Sequence, residues 1–105
     1  MATIVSGFVS VPTPGTAIQL SSTDTTRYQQ VLVSVPTGNQ GDIYIGDSTV
    51  SAMVGNEAGV KVSAGTQGWL AIATPGVLLS NIYVDAVNAN DRVTFTALRG
   101  PWTGA

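Results

Sequence analysis

The stretch Asn81-Ile82-Tyr83-Val84-Asp85-Ala86, followed after a short break by Arg92-Val93-Thr94-Phe95-Thr96-Ala97-Leu98, decides the fold class. In the first run Ile82, Val84 and Ala86 face one way, Tyr83 and Asp85 the other. In the second, Val93, Phe95 and Ala97 oppose Thr94 and Thr96. Successive side chains alternate across a strand, so a period of two marks one buried face and one wet face. Between the runs lie Asn88 to Asp91, residue types that bond their own backbone and turn the chain.

The same reading extends over the rest of the chain. Gln29–Val35 sets Val31, Val33 and Val35 against Gln30 and Ser34. Short runs rich in β-branched and aromatic residues predict strands at Thr3–Val11, Ala17–Leu20, Tyr28–Val35, Asp42–Gly46, Thr49–Val54, Val60–Val62, Trp69–Ala73, Asn81–Ala86 and Arg92–Leu98. Clusters of Gly, Pro, Asn, Asp and Ser separate them, including Pro12–Gly15, Pro36–Asp42 and Gly55–Gly59. No stretch sustains a helical stripe. Ser48–Val54 comes nearest, but Thr49, Val50 and Val54 are β-branched and Gly55 stops it. Eight or nine short strands in 105 residues predict one all-β domain spanning 1–105, an antiparallel, jelly-roll-like β-sandwich.

Composition bounds the function. A chain of this size buries roughly 65% of its extended surface on folding, enough for a core without staples. There is no cysteine, hence no disulfide framework. Only 10% of residues are charged, against about 25% in an ordinary soluble domain. Apolar residues make up 44%. Apolar surface that the domain cannot hide is expected to face a partner. The four basic residues, Arg27, Lys61, Arg92 and Arg99, are scattered, whereas nucleic-acid binding needs a dense basic face. No apolar run approaches the length of about 18 residues that a membrane helix needs. The segment Met1–Val5 lacks a basic n-region and a long apolar h-region, so no signal peptide is expected.

The sequence offers little for catalysis. It has neither His nor Cys, which removes Ser-His-Asp and Cys-His chemistry and the usual zinc ligands. Paired carboxylates would have to come from Asp24, Asp42, Asp47, Glu57, Asp85 and Asp91, most of which sit at turns where backbone capping explains them. Calcium could be considered at Asp42, Asp47 and Glu57, or at Asn88, Asn90 and Asp91, but neither cluster has EF-hand spacing. Capping is the favoured reading of both. We therefore expect no enzyme, no cofactor and no metal. The aromatics Phe95 and Trp69 are assigned to the core. Trp102 follows Arg99-Gly100-Pro101 beyond the last strand and suits docking, either on a partner or on the chain's own surface.

One resemblance adds to this. The stretch Asp42-Ile43-Tyr44-Ile45-Gly46-Asp47-Ser48-Thr49-Val50-Ser51, entered through the turn Gly38-Asn39-Gln40-Gly41, resembles a pattern in small virion proteins of tailed bacteriophages. Leu79–Ala86 with Asp91–Phe95 resembles the closing half of that pattern, and Ala17-Ile18-Gln19-Leu20-Ser21 its opening. The likeness spans roughly residues 10–98. It implies a β-sandwich component of the virion, of which a capsid decoration (cement) protein is the natural candidate. Such proteins are small, often trimeric, and seated on the capsid surface against the major capsid protein. The class has no catalytic residues to carry over. The expected partners are the capsid shell and the chain itself, as a homotrimer, with no nucleic acid and no membrane. The expected location is the virion, after synthesis in the host cytoplasm. A head-fibre or tail component that binds a host receptor or glycan is the alternative. Partner contacts are expected from the terminal segments, at Met1, Ala2, Thr3, Ile4, Arg99, Pro101 and Trp102. The competing reading of Ile4 is that it merely begins an internal strand.

Overall fold

The computed structural model describes residues 3–36, 38–53, 55–63, 69–72 and 76–99. Two four-stranded antiparallel sheets face one another. The first has the order β1 (Thr3–Ser10), β10 (Arg92–Arg99), β4 (Gln30–Ser34), β7 (Trp69–Ile72). The second has the order β2 (Ile18–Gln19), β9 (Tyr83–Ala86), β5 (Ile43–Gly46), β6 (Val60–Val62). A two-residue ladder, β3 (Arg27–Tyr28) with β8 (Val77–Leu78), lies beside them. A single 3₁₀ turn, Leu79–Asn81, leads into β9. The architecture is therefore an all-β sandwich.

The alternation read from the sequence builds the core. Val93, Phe95 and Ala97 of β10 and Val31 and Val33 of β4 point inward from the first sheet. Ile43 and Ile45 of β5, Val84 and Ala86 of β9 and Val62 of β6 meet them from the second. Register makes these residues neighbours: Phe95 pairs with Val33, and Ile43 lies between Val62 and Ala86. Burying each aliphatic side chain contributes about 1.5–3 kcal/mol, offset by the entropy of ordering the chain.

Three details depart from the sequence reading, the first being β8, a short strand at Val77–Leu78 where none was expected. The run Tyr28–Val35 is broken at Gln29. The Gln29 N–H donates to the Leu98 carbonyl at 2.9 Å while Gln30 already pairs with Leu98, so two residues oppose one in a β-bulge. The expected strand Thr49–Val54 does not form. Asp47 turns the chain by accepting from the Thr49 N–H (2.9 Å) and hydroxyl (2.6 Å), and only Ser51 makes a bridge, to Ala58. Val50 and Ala52 are buried because this loop packs down onto the second sheet, not because a strand alternates there.

Gly59 closes that loop with φ +106°. A Cβ there would stand 2.7 Å from both the Ile45 carbonyl oxygen and Val50 Cγ2. Only glycine fits the position.

Candidate functional site

Partners in an antiparallel pair share a face, so the registers assign the outer surface of each sheet. The two outer surfaces differ in kind.

The second sheet turns Tyr44, Gly46, Tyr83 and Asp85 outward. Asp85 nevertheless has no exposed surface. One carboxylate oxygen accepts the Gly15 N–H at 2.9 Å and the Ala86 N–H at 2.9 Å; the other accepts the Ala52 N–H at 2.8 Å. Gly15 belongs to the turn after β1 and Ala52 to the loop after β5. A single carboxylate thus ties two distant loops over the sheet. A charge taken out of water is tolerated only where hydrogen bonds replace its hydration, and three N–H donors do so here. Asp91, also buried, holds a third loop: its oxygens accept from Gln40 N–H (2.9 Å) and Gly41 N–H (2.8 Å). Among the described residues no buried side-chain nitrogen or oxygen lacks a partner.

The first sheet carries no roof among the described residues. Its outer surface is Ile4, Ser6, Phe8 and Ser10 on β1, Arg92, Thr94, Thr96 and Leu98 on β10, Gln30, Leu32 and Ser34 on β4, and Ala71 on β7. Ile4 is 68% exposed and Phe8 63%. Arg92 is the one charge on this face among the described residues, and its guanidinium lies 5.5 Å from the centre of the Phe8 ring. Ser34 and Thr94 hydroxyls bond across the strands at 2.7 Å. On the inner side of β1, Gly7 makes room for Phe95: a Cβ would stand 2.8 Å from the ring. Exposed large apolar side chains in a field of Ser and Thr suit contact with another protein surface.

The expected contact residues fall partly on this face. Thr3 and Arg99 are cross-strand partners, and Ile4 lies opposite Leu98, so the described residues of the two terminal segments lie together at one end of the first sheet. Ile4 begins a strand and is exposed as well. Met1, Ala2, Pro101 and Trp102 lie outside the described residues. Phe8, the largest exposed side chain of the face, was not among the expected contacts. The sequence did not single it out: β1 carries apolar side chains on both phases, Ile4 and Phe8 on one and Val5 and Val9 on the other.

Phe95 is in the core, 8% exposed. The side chain of Trp69 lies outside the described residues. Asp47 caps Thr49, and the Glu57 carboxylate accepts the Gly55 N–H at 3.0 Å. Lys61 Nζ is 3.9 Å from Asp42 Oδ2. Among the described residues no three carboxylates gather into a cation site. An open groove of 490 Å³ runs between the β1 and β2 sides of the sandwich, lined by Val9, Ile18, Gln19, Ser21, Thr23 and Tyr83 among others, with no carboxylate in its wall. Among the described residues no helix is long and apolar enough to cross a membrane.

At Asp24, hydrogen bonds from the Tyr28 hydroxyl (2.6 Å) and the Thr26 N–H (2.8 Å) hold the carboxyl below its ordinary range. Burial, then that same bond, pushes the Tyr28 phenol up. Asp47 is likewise held low by the Thr49 hydroxyl and N–H. Each of these is a local tie within one loop or between a loop and the strand beside it. No family model, curated protein or solved structure matches this chain.

Proposed function

We propose that this chain is a structural virion protein that decorates and stabilises a phage capsid by binding the assembled shell as a homo-oligomer. The observation that carries the reading is the outer face of the first sheet, uncovered among the described residues, with Ile4 and Phe8 exposed among side chains of which only Arg92 is charged. Such a face loses little hydration when covered and gains apolar burial at about 25 cal/mol per Å². A ligand that binds only the assembled shell stabilises it by mass action, and many copies multiply the effect. The resemblance of residues 10–98 to small phage virion proteins points to the same role. The sheet orders β1-β10-β4-β7 and β2-β9-β5-β6 interleave early and late strands, which supports the jelly-roll form of the sandwich.

The test is immunogold labelling, with an antibody to this chain, of virions recovered from cells that express it. Label over the head supports decoration. Label on the tail or on fibres supports the alternative, a receptor- or glycan-binding component. That second reading draws on the groove beside Tyr83, whose ring and neighbouring hydroxyls suit a sugar. Virions without label refute both.

A further inference from the structure

We propose that β1 is a pairing edge for a second copy of this chain, two β1 strands running antiparallel about a two-fold axis through Ser6. The inference takes the homo-oligomer from the reading above and gives it a contact, a register and an order: a dimer in place of the expected trimer.

β1 is the outermost strand of its sheet, and all eight of its residues pair with β10 without a bulge. The direction of its backbone groups follows from two hydrogen bonds. The Val11 N–H, in phase with β1, donates to the Asp91 carbonyl on the β10 side. On the far side of β10, the Leu98 carbonyl accepts from β4's neighbour Gln29. Odd-numbered residues of β1 therefore point their N–H and C=O groups at β10. Ile4, Ser6, Phe8 and Ser10 point theirs away from the sheet. Among the described residues nothing bonds to these outward groups.

The other edges are guarded and this one is not. β6 is three residues long and carries Lys61; β2 has two residues and β7 four. β1 has eight residues and neither charge nor proline. Proteins discourage edge pairing with short strands, lysine, proline and bulges, and β1 uses none of these.

What makes the occupant a second copy is the order of side chains along the outer face: Ile4, Ser6, Phe8, an apolar–serine–apolar sequence symmetric about Ser6. In the two-fold register, Ile4 opposes the partner's Phe8, Ser6 opposes the partner's Ser6, and Phe8 opposes the partner's Ile4. Every outward N–H and C=O of these three residues is then bonded, and apolar side chains meet apolar ones across the seam. A slip of two residues in either direction sets Ile4 against a serine, Ser10 or Ser6, and parts it from the partner's Phe8. A slip of one misdirects the backbone groups. No charge on β1 repels the second copy, and each Arg92 stays over its own Phe8.

Sedimentation velocity of the full chain over a concentration range, with Ser6→Pro and Ser6→Cys beside it, tests the pairing. Proline at an outward-facing edge position removes no bond to β10 and is tolerated in edge strands. It removes one donor per copy and inserts a ring in the seam, so the dimer dissociation constant should rise roughly 100-fold with the circular dichroism spectrum unchanged. Ser6→Cys supplies the chain's sole thiol. Paired Cα atoms stand about 5.5 Å apart across such a bonded pair, within disulfide reach, so mild oxidation should give a covalent dimer, while Ser34→Cys on the same face gives none. A chain that stays monomeric at all concentrations, or a dimer that Ser6→Pro leaves unchanged, overturns the proposal. Phage-head labelling is read separately, so the virion role stands or falls on its own result.

Discussion

The two sheets treat their outer faces in opposite ways. Over the second, the chain spends two loops and a buried carboxylate to build a roof: Asp85 holds Gly15 and Ala52 by their N–H groups, and Met53 packs against Gly15. Over the first, Ile4 and Phe8 are left in solvent. A carboxylate deprived of water is costly unless saturated, so the covered face is fixed by an interaction that tolerates little change. The open face is held only by its strands and is free to vary in what it meets. The difference teaches where the molecule closes on itself and where it leaves apolar side chains in water.

Breaking the roof should have the largest effect. Asp85→Ala leaves three N–H groups without an acceptor and should cost about 3–5 kcal/mol in urea denaturation. Asp85→Asn keeps the shape but turns an amide donor toward an N–H donor, and should recover less than half of that loss. Amide exchange at Gly15 and Ala52 should accelerate in both variants beyond the global change. Normal protection at these amides would show that the loops are held by something other than the carboxylate.

Gly59→Ala tests the same roof from its hinge. The φ of +106° and the 2.7 Å approach to the Ile45 carbonyl should together cost about 3 kcal/mol. A neutral result would mean that the loop over Val50 has room to shift, and that the roof is less tightly fitted than the Asp85 bonds imply.

How much of this contrast was legible beforehand follows from the kind of interaction involved. The core was readable because alternation is local: Val31, Val33, Val84, Val93 and Phe95 announce their faces within a few residues. Asp85 stands on the wet phase of its own strand, and its burial depends on loops 70 and 33 residues away. No window on the sequence contains that information. Asp47 and Glu57 lie two residues from the groups they cap, so their roles could be read from their turns. Thr49–Val54 has strand-like composition because Val50 and Ala52 are buried, yet the burial comes from packing onto a sheet rather than joining one. On β1, Ile4 and Phe8 alternate with Val5 and Val9, and a strand apolar on both phases does not declare which is outward. The low charge raised the expectation of a partner. Its chemistry was suggested only by resemblance.

Changing the open face should leave folding nearly untouched. Phe8→Ser removes a ring that is 63% exposed together with its contact to Arg92. Exposed cation–π contacts contribute about 0.5–1 kcal/mol, so stability should fall by no more than that. Under the proposed capsid role, attachment to phage heads, measured by cosedimentation, should fall much further. If the loss of stability matched that of Asp85→Ala, Phe8 would be a packing residue and the distinction between the faces would collapse.

The smallest expected effect lies on neither face. The segment from Leu20 to Arg27 passes from one sheet to the other, and Asp24 ties it to the buried ring of Tyr28. The Asp24 pKa is depressed in the folded state, so its contribution is complete above the ordinary value near 3.8 and is lost as pH falls through the folded value. The Tyr28 pKa is raised, so its contribution is complete below the ordinary value near 10 and is lost as pH rises through the folded value. Stability from this pair should therefore be flat between about pH 5 and 9 and decline on both sides. Tyr28→Phe removes the shared hydrogen bond and should cost about 1 kcal/mol at neutral pH, because Asp24 keeps the Thr26 N–H and contact with water. The variant's deficit should shrink as pH falls through the folded Asp24 value, where the wild-type carboxyl becomes protonated as well. A deficit that stays constant from pH 7 through the whole acid titration of the folded carboxyl would mean that the hydroxyl acts through packing, with no part played by the Asp24 charge.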